Sequence, residues 1–232
     1  MEGITIPSTS ALFYSLMGGI LPALFWLWFW TQEDKLHPEP RGRLLAAFLA
    51  GMVAVPIAYP MQSWAYSYLG MGFVTLLIWA TAEEILKYLA ASTTGLLSRA
   101  FDEPIDAMIY LVTAALGFSA LENTMFILNP LLDGHLQASF ATGNMRFIGA
   151  SVLHVVSSAT LGFFIGREFY RTRLAKIAFR VMGLAVAIAL HTVFNLFIIY
   201  ENGGNTFLVF SFVWIGAIFA LLMFEKIKTI KK

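Results

Sequence analysis

Long apolar stretches alternate with short polar connections along nearly the whole chain. Seven can be read, near residues 11–30, 44–59, 70–91, 105–128, 145–166, 179–200 and 206–224. None alternates apolar and polar residues as a half-buried strand would, and each suits a helix crossing an apolar layer of about 30 Å. In that layer every backbone polar group must be satisfied within the segment, which favours helices. The pattern predicts an all-α membrane protein: a polytopic bundle of about seven transmembrane helices in a single domain over residues 1–232. The connection NPLLDGHLQASFATGN, residues 129–144, reads as an ordinary loop, with a short interfacial helix or lip over the bundle as the alternative.

Charge sets the orientation. Alternating spans put the 31–43, 92–104 and 167–178 connections and the C-terminal tail on one side. That side holds Lys35, Arg41, Arg43, Arg99, Arg167, Arg171, Arg173, Lys176, Lys226, Lys228, Lys231 and Lys232, with Arg180 at its border, whereas the other holds Arg146. The positive-inside rule then predicts an outer N-terminus and a cytoplasmic C-terminus in a prokaryotic cytoplasmic membrane, with Trp26, Trp28 and Trp30 in the aromatic belt. Composition agrees: 59% hydrophobic residues and 12% charged, against roughly 25% charged in a soluble domain. The net charge of +1 gives no reason to expect nucleic acid as a partner. The absence of cysteine excludes disulfides, thiolate metal sites and a cysteine nucleophile. No Lys or Arg precedes residue 35, so the first stretch lacks the basic flank of a signal peptide and is expected to be a retained helix.

Against this background the polar residues inside the stretches stand out. An ionisable group at the centre of a membrane helix costs about 2.5–3.5 kcal/mol on insertion scales, so its presence there points to function. The third stretch carries Glu83, Glu84 and Lys87. Glu83 and Lys87 share a helix face, and Glu84 points about 100° away. A carboxylate balanced between burial and a lysine suits a general base, whereas a salt bridge snorkelling to the interface is the structural alternative. Glu122, followed by Asn123, could pair with Lys87, orient a histidine, ligate a metal, or serve as a hydrogen-bonded structural carboxylate.

His154 shares a polar strip with Ser151 and Ser158, and either contributes to a site or is a satisfied core histidine. His191 and Asn195 lie one turn apart, a pair able to bind water and a developing oxyanion. Gly162 and Gly166 form a small-residue pair suited to helix packing. His37 and His135 fall in connections and read as incidental. Neither a GxSxG turn nor HExxH is present. No cofactor is expected on this reading. A zinc ion remains possible, assembled from His154, His191 and Glu122 on separate helices.

In order along the chain, these segments resemble the PrsW family of intramembrane proteases, related to the group containing CAAX prenyl proteases and bacteriocin-processing enzymes. HPEPRGRLLAAFLAG is similar to the family's Pro-Glu-Pro element, EEILK to its EExxK motif, and FDEPIDAMIYLVTAALGFSALENTMFI to its most recognisable block. Met145, Arg146 and the run to His154 and Gly166, then HTVFN, complete the order. The resemblance implies an endopeptidase that cleaves a single-pass membrane protein, as in release of an anti-sigma factor. It also implies Glu83 as general base, His154 holding the attacking water, and His191 with Asn195 as the oxyanion site. Glu84 is included among the catalytic residues, with Lys87, Glu122 and Asn123 supporting. Some relatives are described as metalloproteases, so a zinc protease built on the same residues is the nearest alternative. This chain ends soon after its last span, which weakens transfer of a particular substrate. A proton-coupled transporter is an alternative of another class, disfavoured by the lack of an inverted repeat or a pair of broken helices.

Overall fold

The computed structural model describes residues 9–200 and 206–230. All of its regular structure among these residues is helical: α1 (Thr9–Thr31), α2 (Arg41–Leu69), α3 (Phe73–Ala91), α4 (Asp106–Leu132), α5 (Leu136–Met145), α6 (Ser151–Arg167), α7 (Arg173–Tyr200) and α8 (Thr206–Ile227), with a short 3₁₀ turn at Gln32–Asp34. A π turn at Arg146–Ala150 joins α5 to α6 without a break, and another at Ser92–Leu96 extends α3. Six helical segments are long and apolar enough to cross a membrane. The remaining long helix, α3, carries Glu83, Glu84 and Lys87 within 19 residues and falls outside that group.

Two readings of the sequence need correction. The 129–144 connection is largely helical: α4 runs through Asn129 and Pro130 to Leu132, and α5 follows after a turn with Gly134 at positive φ. The second span does not stop at Tyr59. It continues through Pro56 and Pro60 to Leu69, since neighbouring helices and local adjustment make prolines tolerable in membrane helices. Lys231 and Lys232, counted above among the basic residues, lie outside the described residues.

Helix α4 is the axis of the bundle, buried along most of its length and packed against α1, α2, α3, α5 and α6. Small residues permit its close contacts. A Cβ on Gly117 would stand 1.9 Å from the Phe48 carbonyl oxygen, and one on Gly51 would stand 2.0 Å from that of Ala114. Thus α2 and α4 touch backbone to backbone at two levels. Gly162 and Gly166 do the same for α6, against Met108 and Pro104. The outer faces of α1, α2, α7 and α8 expose Phe13, Leu21, Leu49, Val53, Val181, Ile218 and Phe219, an apolar jacket that suits lipid and would be unfavourable in water.

Candidate active site

The polar groups read from the sequence converge. Glu83, Glu122, His154, His191 and Asn195 line a cavity of about 680 Å³ bounded by α2, α3, α4, α6, α7 and α8. Its walls are otherwise mostly apolar or aromatic, including Val55, Tyr59, Trp79, Phe118, Phe126, Phe194 and Phe210.

Lys87 is the hub. It is fully buried, and its three N–H groups meet three acceptors: Glu84 Oε1 at 2.8 Å, His154 Nδ1 at 2.7 Å and Glu83 Oε2 at 3.5 Å. The lysine therefore lies nearer Glu84, at the i, i+3 spacing, than Glu83 at i, i+4. Glu84 also faces His191 Nδ1 at 2.8 Å, with Ser158 Oγ at 3.5 Å. This network assigns the tautomers. His191 donates from Nδ1 to Glu84, which leaves the Nε2 lone pair facing Glu83 Oε2, 3.7 Å away. His154 accepts from Lys87 at Nδ1 and donates from Nε2 to Glu122 Oε2 at 3.1 Å.

Two residues given no role from the sequence complete the arrangement. Gln62 donates from Nε2 to Glu83 Oε1 at 2.8 Å, while its own backbone carbonyl accepts from Trp79 Nε1 at 2.9 Å. Arg146 pairs with Glu122, donates from Nε to Asn123 Oδ1 at 2.6 Å, and lies 4.0 Å from the centre of the Phe126 ring. Asn123 is held from behind by Ser119 and Ser151. The isolation of Arg146 on a side otherwise without basic residues was the available signal for it. Nothing marked Gln62, an uncharged amide on a long helix.

Glu83, His154 and His191 form a group able to hold a metal ion, their donor atoms all within 4.8 Å of one another and all three residues buried. The donor set fits. Tetrahedral ligands at about 2.1 Å from zinc stand about 3.4 Å apart. Glu83 Oε2 already lies 3.7 Å from His191 Nε2 and 4.0 Å from His154 Nδ1. Each imidazole also has a carboxylate on its other nitrogen, Glu84 for His191 and Glu122 for His154, the arrangement that orients metal-binding histidines.

The family model for the PrsW family intramembrane metalloprotease matches residues 39–223. The chain belongs to this family. It is 26% identical over 184 residues to Protease PrsW of Bacillus subtilis, covering 78% of this chain and 80% of that protein. It is 25% identical over 189 residues to Protease PrsW of Clostridioides difficile, covering 78% and 76%. No solved structure matches it. The PrsW protein described here is therefore an integral membrane protease, and membership decides against the transporter reading.

The family's description as metalloproteases overturns the expectation that no cofactor is needed, and the Glu83, His154 and His191 group gives that correction a physical basis. The hypothetical ligand set changes too. Glu122 is engaged by Arg146 and stands behind His154, so the carboxylate grouped with the two histidines is Glu83. Repulsion between Lys87 and a cation at this centre is offset. Three carboxylates (Glu83, Glu84 and Glu122) face two basic side chains, Lys87 and Arg146, which leaves negative charge for a cation.

Proposed function

We propose that this PrsW protein is a zinc-dependent intramembrane endopeptidase acting on a single-pass membrane protein of the anti-sigma-factor kind. One observation carries the reading: a buried carboxylate and two imidazoles converge, with a second carboxylate behind each imidazole. Glu83, His154 and His191 would hold the metal. When bound, zinc polarises a scissile carbonyl and lowers the pKa of its water to about 7. Glu84 and Glu122 fix the imidazole tautomers, so that His191 presents the Nε2 lone pair to the centre and His154 presents Nδ1, which would exchange the Lys87 N–H for the metal. Gln62 restrains Glu83 through Oε1, so that Oε2 faces the histidines. Asn195, one helical turn beyond His191 and on the cavity wall, offers an amide donor to a developing oxyanion. The apolar walls accept a membrane-derived segment and exclude bulk water.

The test is cleavage of a panel of single-pass membrane proteins by the purified chain in detergent. Activity should disappear on exhaustive chelation and return with zinc, and Glu83→Gln protein should fold but neither retain zinc nor cleave. Full activity after metal removal would sink the metal assignment. Cleavage by Glu83→Gln at the parental rate would sink the ligand set.

A further inference from the structure

A second group of acidic side chains lies away from the cavity, where α1, the α1–α2 connection and α4 meet. Asp34, Glu39 and Asp106 are 6%, 7% and 1% exposed, and each has a carboxylate oxygen within 4.8 Å of the others'. Two are held in place by hydrogen bonds. Asp106 Oδ2 accepts the backbone N–H groups of Asp102 and Glu103 at 2.9 and 2.7 Å, and Glu39 Oε2 accepts the Tyr110 hydroxyl. The third points to a ligand. Asp34 Oδ2 is buried with no hydrogen-bond partner, a costly state for a carboxylate oxygen unless a cation satisfies it. Among the described residues no Lys, Arg or His is within ion-pair distance of any of the three. His37 pairs with Glu103, and Lys228 with Glu33 and Glu225. A cavity of about 450 Å³ reaches Asp34 from the surface between His37, Glu103 and Lys228, giving an ion a route in.

We propose that Asp34, Glu39 and Asp106 form a binding site for a hard divalent cation, calcium or magnesium, that ties the end of α1 and the α1–α2 connection to the start of α4. The donors are all oxygen, without nitrogen or sulfur, which selects these ions over zinc. The site shares no residue with the Glu83, His154 and His191 group, so the two separate chemically as well as spatially.

The test is a melting curve of the full chain in detergent after chelator treatment, titrated with calcium, magnesium or sodium chloride at matched ionic strength. Calcium at a hundredfold over its dissociation constant should raise the midpoint by about 5–10 °C. Asp34→Asn and Glu39→Gln should remove this rise. In chelator both should melt no lower than the parent, because each relieves like-charge repulsion. Glu83→Gln should keep the rise. A parent that calcium stabilises no more than sodium does would overturn the site, as would a rise undiminished in Asp34→Asn. If the amide variants fail to fold, terbium luminescence sensitised by Tyr110 in the parent reads the same place. Calcium-displaceable emission supports the site and its absence overturns it.

Discussion

Glu84→Gln is the most discriminating substitution, because Glu84 works on two partners at once. The carboxylate is fully buried and lies 2.8 Å from both Lys87 Nζ and His191 Nδ1. Both partners use the same oxygen, Oε1, so glutamine can keep the shape and an acceptor for each, but it removes the charge that pairs with Lys87 and strengthens the bond from His191. Removing one member of a buried ion pair costs about 3–5 kcal/mol. The lower end is expected here, since the glutamine oxygen can still accept from Lys87 Nζ. Loss of a carboxylate that orients a metal-binding histidine costs about 10–100-fold in metal affinity or activity. At about 1.4 kcal/mol per tenfold this is about 1.4–2.7 kcal/mol, separate from the stability loss. The assay measures zinc affinity and cleavage well below the melting midpoint, with Glu84→Asp as the charge-preserving comparison. Glu84→Asp should recover part of both losses. A Glu84→Gln protein with parental zinc affinity and parental cleavage would refute the claim that His191 needs the charge of Glu84 behind it.

Three further outcomes are expected. Arg146→Leu leaves Glu122 without its cationic partner and should reduce cleavage, and the Arg146→Leu, Glu122→Gln double variant should be less than additive; full additivity would mean that the pair does not act as a unit. Gly117→Ala places a methyl group 1.9 Å from the Phe48 carbonyl oxygen, so α2 and α4 must separate, at a cost of about 1–3 kcal/mol in stability; an unchanged melting midpoint would contradict the close contact. The chain contains no cysteine, so single substitutions report topology directly. Asn129→Cys should react with an impermeant maleimide in whole cells, whereas Arg171→Cys should react only after permeabilisation, and the reverse result would invert the orientation.

The sequence revealed the helices more readily than their ends. Each span could be read because a run of apolar side chains is a property of one segment. The extension of α2 past Pro60 and the helix at Leu136–Met145 could not, because neighbouring helices stabilise backbone that local signals would break. The site divides in the same way. Glu83, Glu84, Lys87, His154 and His191 stood out as polar residues in apolar runs. Helix spacing allowed Lys87 to reach either glutamate, and the choice of Glu84 depends on His154 and His191, which approach from α6 and α7. Likewise the substitution of Glu83 for Glu122 in the candidate metal group is set by Arg146 engaging Glu122 from the π turn before α6. Distances between helices are not written in any one of them.

The cavity has a direction. From Glu83, His154 and His191 its lining extends through Gln62 and Ser63 to Tyr66, Met71, Asn129 and Met145, at the end of the bundle where α2 turns into α3 and α4 into α5. The connections at 35–43, 99–104 and 167–173, which carry seven of the fifteen Lys and Arg residues, lie at the opposite end of the same helices. On the proposed function, water and an extended peptide would approach the buried group from the charge-poor end. Arg146 stands on that route, held by Glu122 and Asn123. A segment still helical along its length would have its backbone carbonyls occupied by internal hydrogen bonds. On the proposed function it would have to open locally to present a carbonyl to Asn195 and the Glu83 centre. The polar groups along this side of the cavity, Gln62, Ser63 and Asn129, supply hydrogen-bond partners for backbone freed in this way, which the surrounding lipid cannot.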